Sequence, residues 1–113
     1  MILAFMPDLI MRSKLDNACR HYNVVLQTVS SVEDLHGFAA SAKVILIDLD
    51  ASPELALQLI IEARAHSQAR VLAFCSHVLT DLIQQGQKAG AHRIYSNSTL
   101  TSAIPGLVAE LAL

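Results

Sequence analysis

The sequence predicts a doubly wound α/β domain: a five-stranded parallel sheet with helices on both faces. Two observations carry that reading. Short apolar runs alternate with helical patterns along the whole chain, which is the order of repeated β–α units. The runs at residues 2–6, 44–47 and 71–74 are continuously apolar instead of alternating, as strands are when both of their faces are covered.

Taken in order, Ile2 to Met6 reads as the first strand. Asp8 follows as an N-cap, opening a helix to about His21 with Ile10, Met11, Ala18 and Tyr22 inward and Asn23 ending it. Val24 to Val29 is the second strand. Ser30 and Ser31 stand in capping-box spacing to Glu33 and Asp34, opening a short helix over Val32, Leu35 and Phe38. Val44 to Leu49 is the third strand, and Ser52 with Pro53 reads as a cap and first-turn proline for the third helix. Arg70 to Cys75 is the fourth strand. The fourth helix sets Leu79, Leu82, Ile83 and Gly86 on one stripe and ends at Gly90. Arg93 to Ser96 is the fifth strand. A last helix starts at about Thr101, a start that keeps Pro105 in its first turn.

Composition narrows the function classes. With 113 residues the chain reads as a single domain, 1–113, that buries roughly two thirds of its unfolded surface. A net charge of -2 and a charged fraction of 16% provide no basic face for nucleic acid or for an anionic membrane. No apolar run approaches the ~18 residues of a membrane span, and the opening "MILAFMPDLIMRSK" lacks a basic leader region and a cleavage site. Cys19 and Cys75 have neither metal-site spacing nor disulfide density and fall at opposite ends of the sheet, so thiols in a reducing cytoplasm are expected. No Gly-rich turn follows the first strand, which excludes a dinucleotide site, and no cofactor is expected.

The third strand runs into a carboxylate. In "KVILIDLDASPE" four aliphatic residues lead to Asp48, with Asp50 two places on. Ligands of open parallel sheets sit beyond the carboxyl ends of the strands. There the chain gathers Asp8, Asp48, Asp50, Cys75, Ser76, His77 and Asn97. "VILID" before a loop and helix, and "QKAGAHRIYSNS" at Gln87 to Ser98, resemble the receiver domains of two-component response regulators, over essentially all 113 residues.

The resemblance implies a flavodoxin-like sheet in the order 2-1-3-4-5 and puts the phosphoacceptor role on Asp48. It also exposes departures. Met6 and Pro7 stand where receivers carry two acidic residues that hold Mg²⁺, with Asp8 one place late. Cys75 stands for the hydroxyl residue, Asn97 for the lysine and Ser98 for the proline after it; the aromatic switch position falls on Ile94, with Tyr95 on the other face. Phosphoryl transfer to a carboxylate needs a metal ion and a cation to offset the gathered negative charge. A pseudo-receiver is therefore expected: not an enzyme, without the usual phosphorylation switch, acting on a protein partner such as a histidine kinase, another regulator or a copy of itself. Asp48 then reads as a strand-end carboxylate held by helix N-terminal amides. The alternatives are a working receiver phosphorylated on Asp48, and a small-ligand or metal site from Asp8, Asp48, Asp50 and His77.

The third helix is apolar around much of its circumference, with Gln58, Glu62 and His66 as its polar ridge, and the fifth is similar. Leu57, Ile61, Leu100 and Leu111 are the candidate contact residues for a partner or a homodimer.

Overall fold

Apolar side chains leave both faces of the central strands, and two separate helical layers cover them. The computed structural model describes residues 1–76 and 80–112. Its strands are β1 (Ile2–Phe5), β2 (Leu26–Thr28), β3 (Val44–Asp48), β4 (Arg70–Cys75) and β5 (Arg93–Ser96). The helices are α1 (Leu9–Tyr22), α2 (Val32–Phe38), α3 (Pro53–His66), α4 (Thr80–Ala89) and α5 (Asn97–Ala112), with a 3₁₀ turn at Ala39–Ser41. All pairings are parallel. The order is β2-β1-β3-β4-β5, as the receiver resemblance implies.

Strand alternation assigns side chains to the layers. Leu3, Phe5, Ile45, Ile47, Val71, Ala73 and Cys75 form one core with Leu35 of α2 and Ala56, Leu59, Ile60 and Ala63 of α3. Ile2, Ala4, Met6, Val44, Leu46, Leu72 and Phe74 form the other with Leu15 and Cys19 of α1 and Leu100, Ile104 and Val108 of α5. Ile94 packs on the first core and Tyr95 lies in the second, the division expected for the fifth strand.

Local signals hold at α1 and α2. The Asp8 carboxylate accepts from the Ile10 and Met11 N–H groups at 2.9 and 3.2 Å. Asn23 takes the left-handed conformation (φ 56°), and the Asn23 and Val24 N–H groups close the helix on the Arg20 and Cys19 carbonyls. Ser31 caps Asp34 N–H, while Asp34 accepts from Ser30 N–H and hydroxyl. The Ser31 bond satisfies a donor that α2 alone leaves open, and the Asp34 carboxylate fastens the preceding Ser30 to the helix start.

Four expectations need correction. On α1, Ile10 is 73% exposed and Tyr22 also faces out; Leu15 and Cys19 join Met11 and Ala18 inward. Ile10 stands about 100° around the helix from Met11, outside the stripe. At β2, the Val24 N–H is used in closing α1, so pairing begins later than the apolar run. Ser52 precedes Pro53 at the start of α3, but its side chain makes no capping bond.

The fourth correction is at α5. The Ser96 hydroxyl accepts from Thr99 N–H at 3.3 Å, and the helix starts at Asn97, leaving Pro105 inside it and exposed. The earlier start carries Leu100 onto the stripe of Ile104 and Val108, where it is 0% exposed. Leu100 is therefore a core residue and not a contact residue. Leu57 and Leu111 are half-buried against the two cores, and Ile61 alone of the four candidates is exposed, at 54%. Leu79, expected on the stripe of the fourth helix, lies outside the described residues.

Two substitutions test this placement. Leu100→Ala is expected to cost about 2–5 kcal/mol by denaturant unfolding, and Ile61→Ala about 0.5 kcal/mol or less. Equal costs would contradict the α5 register.

Candidate functional site

Asp48 ends β3, one step beyond an apolar run, and is 6% exposed; among the described residues it is the buried charged side chain. A carboxylate removed from water needs donors. Its Oδ1 receives them from the loop, accepting from Asp50 N–H at 2.9 Å and Ala51 N–H at 3.4 Å. The expected helix N-terminal amides are not the partners, because α3 begins two residues later at Pro53, which has no N–H.

Burial pushes the Asp48 carboxyl above the ordinary range; the two amide bonds pull it down, and the charges of Asp50 and Asp8 push it up again. Among the described residues, the charged groups acting on Asp48 are thus both negative.

Asp50 ties two loops together. Its Oδ2 accepts from the N–H and the hydroxyl of Ser76 at 2.9 Å each, bridging the end of β3 to the end of β4. Its Oδ1 is buried and has no hydrogen-bond partner among the described residues. Cys75 lies in the α3-side core, and burial, then Asp50 and Asp48, push its thiol up. A thiol held protonated is a poor nucleophile. Cys19 is likewise pushed up to about 11 by burial in the other core. Both cysteines are free and on opposite faces of the sheet.

Around this cluster, the remaining candidates are committed elsewhere. Asp8 is exposed and caps α1. Met6 is 2% exposed and packs in the α1/α5-side core. Asn97 is exposed in the first turn of α5, where its carbonyl accepts from the Thr101 hydroxyl. His77 lies outside the described residues. Asp8, Asp48 and Asp50 do not converge as cation ligands: among the described residues, the group with three ligand atoms within 4.8 Å of one another is His36, Glu62 and His66. Mg²⁺ takes near-octahedral oxygen ligands. The described crevice offers the Asp48 carboxylate and the unpartnered Asp50 oxygen, without a third convergent carboxylate.

Sequence reasoning did not find Ser76 as the partner of Asp50, since 26 residues separate them and only β3–β4 adjacency joins them. It placed Glu62 and His66 together at helical spacing, but not His36, which comes from α2. The His36 hydrogen bond holds the Glu62 carboxyl below its ordinary range, with smaller help from His66. A pocket of about 470 Å³ opens between α1 and β2, lined by Leu9, Arg12, Ser13, Asp16, Leu26, Gln27 and Thr28, away from Asp48.

The chain superposes on a response regulator from Thermotoga maritima with a TM-score of 0.75 at 18% identity, covering 98% of this chain and 95% of that one. The receiver domain of NtrX from Brucella abortus matches with a TM-score of 0.74 at 19% identity, over 100% and 98% of the two chains. A response regulator from Burkholderia pseudomallei, solved with a phosphorylated aspartic acid, a calcium ion and citrate, matches with a TM-score of 0.72 at 15% identity, over 97% and 69%. No protein-family model matches the chain, and no curated protein does. The protein has the flavodoxin-like fold of response regulator receiver domains, and at these identities the likeness establishes the fold. No helix among the described residues is long and apolar enough to cross a membrane.

The electrostatics give a pH test. The folded chain holds the Asp48 proton more tightly than the unfolded chain, so the ionised carboxylate costs stability. That cost is absent below the ordinary value of 3.8 and complete above the raised folded value. Asp48→Asn is expected to raise Tm by a few degrees at neutral pH, with the gain shrinking as pH falls toward 3.8. Paired thermal melts across pH check it; a variant less stable at neutral pH contradicts it.

Proposed function

We propose that the protein is a pseudo-receiver: a non-catalytic signalling domain that keeps the receiver scaffold and acts by binding another protein, without the usual phosphorylation switch. The observation that carries this reading is the charge around Asp48. A carboxylate accepting a phosphoryl group gathers additional negative oxygens, and only metal ions or cationic side chains make that gathering favourable. Among the described residues, the charges acting on Asp48 are those of Asp50 and Asp8, and Met6 fills with a buried thioether the place where the resemblance implies an acidic ligand. Asn97 can donate a hydrogen bond to a phosphoryl oxygen but brings no charge. The proposed partner is a histidine kinase, another regulator or a second copy of the chain, in the cytoplasm, with Ile61 on α3 as the exposed apolar contact.

A second reading has one observation in its favour. Asp48 occupies the end of the central strand, and a structural neighbour from Burkholderia pseudomallei carries a phosphorylated aspartic acid with a calcium ion. Under that reading the chain is a working receiver phosphorylated on Asp48.

Mg²⁺ with beryllium fluoride, a phosphoryl mimic, separates the two. The pseudo-receiver is expected to show neither saturable binding nor shifted backbone amide resonances at millimolar concentrations of both. Saturable binding that disappears in Asp48→Asn identifies a working phosphoacceptor and ends the proposal.

A further inference from the structure

At the other end of the α2–α3 layer lies a cluster that the crevice does not use. His36 comes from the last turn of α2, and Glu62 and His66 stand one turn apart on α3. His36 Nε2 lies 2.9 Å and His66 Nε2 3.2 Å from the same oxygen, Glu62 Oε2. The two imidazole rings meet edge to face, with centroids 4.9 Å apart and planes at 70°. Both histidines are exposed and Glu62 is half-buried, so an ion has access from solvent.

We propose that His36, Glu62 and His66 form a site for a divalent transition-metal ion of the zinc class. A hydrogen-bonded bridge between two histidines and a glutamate has two carboxylate oxygens to share, one for each ring. Here both Nε2 atoms approach the same oxygen, which gathers three donor atoms in one place. Bonds of about 2.0–2.1 Å at tetrahedral angles set ligand atoms about 3.3 Å apart. The observed 2.9 and 3.2 Å N···O separations need only small outward shifts to reach that value, while the two imidazole nitrogens, within 4.8 Å of each other, have to draw together by turning of the exposed rings.

The donor set selects the ion. Two imidazole nitrogens and one carboxylate oxygen favour Zn²⁺, Cu²⁺ or Ni²⁺ over Mg²⁺ or Ca²⁺, which take all-oxygen shells. The protein supplies three ligands and leaves the fourth position to water. The neighbouring cation, Arg64, is turned to the Gly90 carbonyl. Because helices return antiparallel to the strands, the C-terminal turns of α2 and α3 lie at the rim opposite Asp48. An ion there fastens α2 to α3 independently of the crevice.

Titration calorimetry of the tag-free full chain with zinc chloride at neutral pH tests the site. A single ion per chain with micromolar affinity is expected. His36→Ala and His66→Ala each should weaken it by at least about tenfold, whereas Asp48→Asn should leave it unchanged. Cobalt in place of zinc should give tetrahedral d–d absorption without a thiolate charge-transfer band. Zinc affinity unaffected by both histidine variants, a thiolate band, or no saturable binding up to millimolar zinc overturns the proposal. Circular dichroism of the variants, whose altered side chains are on the surface, verifies that they are folded.

Discussion

Burial of the central sheet on both faces is the constraint from which the other features follow. A strand such as β3, apolar from Val44 to Ile47 and covered by α3 on one side and by α1 and α5 on the other, can expose functional groups only where it ends. A parallel sheet collects all such ends on one rim, so Asp48, Asp50, Cys75 and Ser76 meet there although they come from different strands and loops. The stability of the domain comes from the two cores beneath.

The same geometry makes the rim electrostatically demanding. Asp48 leaves water at the price of its hydration, and two loop amides offset part of that cost. The nearby charges of Asp50 and Asp8 add to the cost instead of relieving it. Asp50 reduces its own exposure to this field by accepting both donors of Ser76, which fixes the β3–α3 loop against the end of β4. The acids at the rim therefore act within this structure as acceptors that organise loops and a helix start. Among the described residues the charges acting on Asp48 are negative, so any role that adds further negative charge there depends on a cation.

Legibility in the sequence followed the length scale of each interaction. The caps at Asp8, Asn23 and Ser31 rest on contacts within a few residues, and β3, β4 and β5 show themselves through the local apolar runs or turn residues that bound them, although their pairing joins residues more than 20 apart; the sequence pattern reveals both. The start of α5 was misplaced because Ser96-Asn97-Ser98-Thr99 reads as a loop and Pro105 argues for a late start; the Ser96 hydroxyl turns those residues into a helical first turn. Leu100 moved from surface to core for that reason alone. At the site, the position of Asp48 and the apolar replacement at Met6 were legible from strand ends. The Asp50–Ser76 link and the approach of His36 to Glu62 were not, because each joins residues 26 apart through tertiary packing.

The two ends of the domain answer to different chemistry, and this bears on how a receiver scaffold can serve without phosphorylation. A phosphorylated receiver changes state through charge added at the rim, which must be matched there by cations. Where that matching is lacking, control has to come from contacts elsewhere on the surface. The α2–α3 layer offers such a place: Ile61 is exposed on α3 one residue from Glu62, and His36 and His66 flank that glutamate. An apolar contact and a set of metal-competent donors thus share one helix, remote from the buried carboxylate. Ile61 stands about 100° around α3 from Glu62, so the apolar contact and the donor cluster occupy adjoining faces of that helix.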